Sequence, residues 1–316
     1  MSTTALHRTA PSASPGDARW RVALATYAQL PSLSDDDRLV LPELGRLGVR
    51  AEPATWNDPG VRWSDFDGVV LRSCWDYHLA TDDFHRWIDD LEQRGVVLLN
   101  PPAVLRWNAS KTYLRELADR GVDVVPTRWV EQGSGIALAA VMEEEGWREV
   151  VIKGSVSASA HDTWLVPMHQ AAVREPDFRR LVERGPVLVQ PFIESIGRDG
   201  EWSLLFFGGE FSHAVIKRPK AGDFRVQTNF GGSYELATAS EELQAQARAA
   251  LVAAPEACVY ARVDGCVEDG RLRLMELELL EPDVFLRLDS RAPARFAEAI
   301  VAALVSSARP RRSSDR

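Results

Sequence analysis

Cysteine is scarce in this chain of 316 residues, with three in all, Cys74, Cys258 and Cys266. They are odd in number and far apart, so they provide neither a disulfide framework nor a metal-knuckle spacing, and they suit a reducing cytoplasm. Long apolar runs are missing too. Nothing approaches the roughly 20 residues that span a bilayer, and the Ser/Thr/Ala/Pro-rich residues 1–18 lack the apolar centre of a signal peptide. Positive charge is in short supply, since Lys+Arg is 37 against Asp+Glu 46, a net charge of −9. That argues against nucleic acid as partner, whose binding rests on many cationic contacts to phosphates. No GxxxxGK[ST] loop occurs, and no convincing Ser/His/Asp or Cys/His arrangement. Internal repeats and long linkers are absent as well.

What is present is ordinary globular composition, 45% hydrophobic and 26% charged. A prior of roughly 150 residues per domain gives about two domains or lobes. Residues 21–26 and 68–71 read as short buried strands. Between them Leu39, Val40, Leu44 and Leu47 lie at near-helical spacing before Gly48. Phe84, Trp87, Ile88 and Leu91 recur at i, i+3, i+4 and i+7, a one-striped helix closed by Gly95. A strand at 96–99 ends at Asn100-Pro101-Pro102. This alternation predicts a small, mostly parallel sheet with helices on its faces. From residue 108 the texture changes. A helix is predicted over 110–120, a hairpin from 149–153 and 163–166, and a strand at 187–190. Long antiparallel candidates follow at 202–207, 211–217, 259–267 and 271–280, then a helix with Phe296, Ile300, Ala303 and Leu304 on one stripe.

Strand alternation sorts residues 271–280 into two faces. Leu272, Leu274, Glu276, Glu278 and Leu280 share one; Arg271, Arg273, Met275, Leu277 and Leu279 share the other. The arginines mark the second face as wet, which predicts an interior Glu276 and Glu278. Two buried carboxylates repel and call for a hard divalent cation. The alternative is a bulge that flips the faces and turns the glutamates to water. On the preceding strand Arg262 and Asp264 share a face, so an Asp/Glu/Glu cluster with an arginine at its rim suits phosphate oxygens bridged by Mg²⁺. An ordinary surface pair is the plain alternative. Lys153 closes an apolar strand before small residues that include Ser155 and Ser159, a setting for phosphate or, alternatively, a flexible surface hairpin. Lys111, in the first turn of its predicted helix, opposes the helix dipole and is explained by a bound anion or by solvation. Lys217, Arg218 and Arg225 precede Gly231-Gly232, whose amides can approach an anion, with a polar surface loop as the plain alternative. Gln190, Phe192 and Ile193 could line an adenine slot, and Glu201 could hold a ribose hydroxyl.

In this order, the segments resemble the ATP-grasp superfamily. They run from Lys111 and Lys153 through the 190–194 hinge and the Arg225–Gly232 region to the Arg262-x-Asp264 and Glu276-x-Glu278 strands near Pro282. The metal strands are similar to those of D-alanine–D-alanine ligases, and residues 222–232 to glutathione synthetase. The resemblance spans roughly residues 20–305. Two departures stand out. The loop after Lys153 has one glycine where relatives have several, and position 278 is Glu where they usually have Asn. In the first lobe, Ala25-Thr26-Tyr27, residues 71–77 and residues 105–108 resemble the group containing the O-ureido-D-serine cyclo-ligase of D-cycloserine biosynthesis.

The resemblance implies an α/β N-terminal lobe with a small mostly parallel sheet, then an α+β ATP-grasp fold with antiparallel sheets. The implied divisions are a disordered lead-in (1–18), a substrate-side domain (19–107), a small lobe (108–189), a C-terminal lobe (190–305) and a disordered basic tail (306–316). It implies an ADP-forming ligase using ATP and Mg²⁺, with Asp264, Glu276 and Glu278 on the metal. Lys111, Lys153, Ser155, Ser159, Gln190, Phe192, Ile193 and Glu201 would hold the nucleotide. Arg225, Arg262, Lys217, Gly231 and Gly232 would attend the reacting groups. Arg72, at the C-terminal end of a parallel strand, would clamp a substrate carboxylate, with Asp76 on an ammonium and Ser73, Trp75 and Asn229 nearby. Trp75 and Tyr77 could equally be core aromatics. The expected partners are a small amino-acid-like substrate and further copies of the chain, a homodimer or higher homo-oligomer, with no membrane and a cytoplasmic location. A phosphotransferase on the same fold and a non-catalytic nucleotide-binding protein remain the alternatives.

Overall fold

The computed structural model describes residues 18–157, 162–227 and 230–307. The first lobe holds β1 (Trp20–Thr26), α1 (Val40–Arg46), β2 (Val49–Thr55), β3 (Gly68–Ser73), α2 (Thr81–Gln93) and β4 (Leu98–Leu99). Its sheet has the order β2-β1-β3-β4 with every pair parallel. α2 forms where the stripe predicts it, with Phe84, Ile88 and Leu91 fully buried and Asp82 and Asp83 favourably placed in its first turn. β2 carries no sequence signal: its residues alternate poorly and include Pro53, which an edge strand tolerates because one side of its ladder is unpaired.

α3 (Pro102–Asn108) and α4 (Tyr113–Asp119) lead into the small lobe. There β5 (Arg128–Val130), α5 (Leu138–Glu145), β6 (Glu149–Gly154), β7 (Trp164–Pro167), α6 (Ala171–Arg184) and β8 (Val187–Pro191) follow. The antiparallel order is β5-β8-β6-β7, packed on α5 and α6 through Val141, Met142, Ile152, Phe178 and Val189. The third unit comprises α7 (Ser195–Asp199), β9 (Glu201–Phe207), β10 (Glu210–Arg218), β11 (Ser233–Ala237), α8 (Glu241–Val252), β12 (Tyr260–Glu268), β13 (Arg271–Glu278) and α9 (Ala292–Ser307). Its five-stranded antiparallel sheet runs β11-β10-β9-β12-β13. α9 packs Phe296, Ile300 and Leu304 in one core with Val22, Leu24 and Val70 of the first sheet and Leu205 and Phe207 of the third. The expected lead-in and tail lie almost wholly outside the described residues, although α9 reaches Ser307, past the expected boundary at 305.

Two features of β13 fix the site. The first is a bulge. Asp264 pairs with Glu276 but Gly265 pairs with Leu274, so Met275 is an extra residue. A Cβ on Gly265 would stand 2.4 Å from the Arg273 carbonyl oxygen, so the bulge needs glycine there. The bulge swaps the faces: Leu272, Leu274, Leu277 and Leu279 all enter one core against α8 and α4. The shared face expected for Leu272, Leu274, Glu276 and Glu278 is therefore corrected. The glutamates leave the core face, yet they meet a cavity rather than open water.

The second feature is a side-chain clamp on the outer edge of β13. Asn108 Nδ2 donates to the Leu277 carbonyl at 2.7 Å and its Oδ1 accepts from the Leu279 amide at 2.7 Å. The Tyr113 hydroxyl accepts from the Leu277 amide at 2.9 Å, and Asn100 Nδ2 donates to the Leu279 carbonyl at 2.7 Å. Side chains thus complete the ladder that an edge strand leaves open.

Candidate functional site

Between the small lobe and the third sheet lies a cavity of about 440 Å³, within the usual range for ligand sites. Its wall includes Trp75, Lys111, Lys153, Gln190, Phe192, Ile193, Glu201, Lys217, Arg225, Arg262, Asp264, Glu276 and Glu278. Thirteen residues singled out from the sequence thus share one cavity, although they come from all three units. Ser159 and Asn229 lie outside the described residues.

β12 and β13 place the carboxylates. Asp264 lies directly opposite Glu276, and Arg262 opposite Glu278. Arg262 Nε is 3.0 Å from both Asp264 oxygens, its Nη1 donates to the Asp283 carbonyl at 2.9 Å, and its Nη2 pairs with Glu278. Ser203 adds a hydroxyl donor to Asp264 at 2.6 Å. Lys217 joins the Glu201 carboxylate at 2.5 Å and Asp264 at 3.2 Å. Burial works against its charge, but the two carboxylates win and hold the ammonium above its ordinary range.

The two predicted lysines differ. Lys111 is not in a helical first turn; it sits in the turn between α3 and α4. Its amide donates to the Ser155 carbonyl at 2.7 Å, and its Nζ contacts the Ser157 carbonyl at 2.8 Å and Glu276 at 2.9 Å. Its placement opposite Glu276 replaces the dipole argument. Lys153, near the end of β6, lies 8% exposed and forms no ion pair among the described residues. Burial lowers its pKa. A buried cation facing a cavity without a carboxylate of its own is a seat for an anion.

Negative charge is in excess here. The cavity wall carries Lys111, Lys153, Lys217, Arg225 and Arg262 against Glu201, Asp264, Glu276, Glu278, Glu281 and Asp283. Burial, with Glu276 and Asp264 nearby, pushes Glu278 up to about 8 despite Arg262. Burial likewise pushes Glu281 up to about 7, with Glu276 adding to it. Among the described residues, no cluster of His, Cys, Asp and Glu is already gathered on one point. The carboxylates are held by Lys111, Lys217 and Arg262 instead.

The cavity also has an apolar lining: Val125, Val151, Phe192, Ile193, Ile196, Val226 and Met275. Gln190 is turned from it in part, its Nε2 donating to the Thr127 hydroxyl at 2.9 Å. Arg225 stacks 3.6 Å above the Phe230 ring and pairs with Asp223 at 2.8 Å. Gly231 and Gly232 do not line the cavity. A Cβ on Gly232 would lie 2.0 Å from the Val226 carbonyl oxygen, so this glycine permits a close crossing of two backbone segments. Ser155 is not in the wall either; its carbonyl holds the Lys111 amide.

The expected substrate clamp is corrected. Arg72 is fully buried, donates to Asp37 at 2.9 Å and to the Pro282 carbonyl at 2.6 Å, and lies 5.2 Å from the Tyr260 and Phe296 ring centres. Ser73 is equally buried and donates to Asp37 at 2.5 Å. Asp76 accepts from the Trp56 indole at 2.7 Å. None of the three lines the cavity. Strand-end position was a sound guide to the region, but the cavity is reached by Trp75 and Tyr77, whose aromatic types read equally as core. Glu281 was missed altogether, since a glutamate after an apolar run and before proline reads as the start of a surface loop.

A nucleotide-sized cavity between two antiparallel sheets, with one lysine before the small lobe and another on its central strand, defines an ATP-grasp ligase. The ATP complex of D-alanine–D-alanine ligase from Bacillus anthracis shares the fold, with a TM-score of 0.65 at 16% identity over 91% of this chain and 98% of that one. The chain belongs to the DcsG family: it is 33% identical over 299 residues to the cycloserine biosynthesis protein DcsG of Streptomyces lavendulae, across 88% of this chain and 97% of that protein. The family profile for the N-terminal domain of D-cycloserine synthetase DcsG matches residues 22–100. The crystal structure of D-cycloserine synthetase DcsG superposes with a TM-score of 0.81 at 32% identity, covering 90% of this chain and 99% of that one. Glutathione synthetase of Prochlorococcus marinus (strain MIT 9313) is 32% identical over 221 residues, 68% of this chain and 67% of that protein.

Proposed function

We propose that this ATP-grasp ligase activates the carboxylate of a small amino-acid-like substrate for attack by nitrogen, the specific reaction being ring closure of an O-ureido-serine. The γ-phosphoryl group passes from ATP to the carboxylate, giving an acyl phosphate and ADP. The nitrogen then loses its proton and bonds to the carbonyl carbon as the carbon–oxygen bond to phosphate breaks and inorganic phosphate leaves. No protein nucleophile is needed, so the residues act by position and charge.

The observation that carries this reading is the convergence of Lys111, Lys153, Arg262, Asp264 and Glu276 on one cavity that also has an apolar lining. The apolar lining with Gln190 suits adenine. Lys153 has no carboxylate partner among the described residues and suits a phosphate. Lys111 and Arg262 stand over the carboxylates, where they would neutralise transferring charge. Mg²⁺ fits the donor set, because Asp264, Glu276 and Glu278 offer hard oxygens in a wall with surplus negative charge. Bound there, it would supply charge neutralisation of phosphate oxygens. Further copies of the chain, in a homodimer or larger assembly, complete the proposal.

The test is a coupled ADP-release assay with O-ureido-D-serine, ATP and Mg²⁺, with product mass read in parallel. A cyclic amide and free phosphate are expected. Phosphate retained on the product would mean a phosphotransferase. Glu276→Gln, which removes the charge opposite Asp264 and beside Lys111, is expected to lower kcat/KM on the order of 10²-fold. Parent-like turnover of that variant would refute the site assignment.

A further inference from the structure

Besides Lys153, the cavity wall holds Glu281 and Tyr77, whose side-chain polar atoms have no partner among the described residues. Glu281 is 9% exposed and Tyr77 5% exposed, and both line the cavity. Neither the Glu281 carboxylate nor the Tyr77 hydroxyl makes a hydrogen bond or ion pair among the described residues. The loop that carries Glu281 is nonetheless tightly held. Its carbonyl accepts from the Trp75 indole at 3.1 Å, the next carbonyl, of Pro282, accepts from Arg72, and the Tyr260 hydroxyl donates to the Leu280 carbonyl at 2.9 Å. The backbone is fixed from both sides while the carboxylate is left free. Both groups line the same cavity, and burial, with the Glu281 charge adding to it, holds the Tyr77 phenol above its ordinary range.

We propose that Glu281, with Trp75 and Tyr77, is the receptor for the ammonium group of the substrate. In its ionised form a buried carboxylate rejects phosphates and other carboxylates, and a cationic ligand is what holds it in that form. One carboxylate beside aromatic surface suits an organic ammonium, whereas a divalent metal needs several oxygen ligands. The inference rests on the ligase reading and deepens it. It requires a free amino group on the activated acid, one that is a spectator in ring closure. It also accounts for the clamp on Pro282, since a specificity group must be held more firmly than the loop alone would hold it.

The experiment compares O-ureido-D-serine with its des-amino counterpart, 3-(ureidooxy)propanoate, in the parent, Glu281→Gln and Tyr77→Phe. The parent is expected to prefer the amino compound on the order of 10²-fold in kcat/KM, the scale of one buried charge contact. Glu281→Gln should bring the two compounds to within about threefold and leave KM for ATP unchanged, a split that general loosening would not produce. A variant that keeps the full preference, or a parent that shows none, overturns the assignment. If Glu281→Gln does not fold, judged by loss of nucleotide-dependent thermal stabilisation, the parent and Tyr77→Phe decide. Absence of ADP release from the parent with O-ureido-D-serine refutes the ligase substrate, not the receptor. Calorimetric binding of D-serine against glycerate then judges the receptor, and equal binding overturns it.

Discussion

Replacing Arg72 with methionine separates the role expected from its position from the one its surroundings give it. The guanidinium is fully buried, bonded to Asp37 at 2.9 Å and to the Pro282 carbonyl at 2.6 Å. Removing it strands the Asp37 carboxylate, itself 3% exposed, with only the Ser73 hydroxyl at 2.5 Å and the Ser34 hydroxyl at 2.9 Å. Breaking a buried pair from one side costs about 3–5 kcal/mol, largely because the surviving charge stays buried. Methionine refills most of the volume, so the loss is not a cavity effect. Urea unfolding followed by tryptophan fluorescence should show that loss as a lower midpoint. Arg72→Met with Asp37→Asn should recover about half of it, because no charge is then stranded. A substrate clamp behaves differently: KM would rise and the midpoint would hardly move. A loss below about 1 kcal/mol for Arg72→Met, with a tenfold or larger rise in substrate KM, would refute this account.

Lys153→Met should lower kcat/KM on the order of 10²–10³-fold in ADP release while leaving thermal stability equal or higher, because it removes a buried ammonium without an ion-pair partner. Asn108→Leu, which leaves the Leu279 amide and Leu277 carbonyl unpaired, should cost about 2–4 kcal/mol in denaturant unfolding. The third variant is read by pH. His213, on β10, is held by Ser212 at 2.9 Å and the Val284 carbonyl at 3.1 Å, and burial lowers it from 6.5 to about 4 against the pull of Asp289, with Arg295 also lowering it. The unfolded chain takes up this proton first. His213 therefore costs no stability above pH 6.5 and progressively more as pH falls to 4, up to about 3 kcal/mol. The difference in unfolding free energy between parent and His213→Gln should thus change in the variant's favour over that window and be flat above pH 7.

The legible parts of the fold were those whose apolar pattern is strong. α2 was readable because Phe84, Trp87, Ile88 and Leu91 are all core residues, and β9, β10, β12 and β13 because their inner faces are continuous. β2 and β11 escaped because they bury too little to show an apolar pattern: no residue of β11 is buried, and β2 alternates poorly and holds Pro53. The site was legible as a set of charged residue types in order. Their orientation was not, because a single bulge at Met275 reverses the alternation that orientation depends on. Arg72 shows the same limit. Its type suggests an anion, and only packing reveals that the anion is Asp37.

The placement of α9 bears on how the protein is made. Strands of the first sheet lay their hydrocarbon face on a helix that the ribosome delivers only after the small lobe and the third sheet. Residues 22–100 must therefore wait, with Val22, Leu24 and Val70 lacking their α9 cover, until that helix has been made. Excising that segment as an autonomous module would yield an insoluble fragment, whereas supplying α9 in trans as a peptide would rescue it.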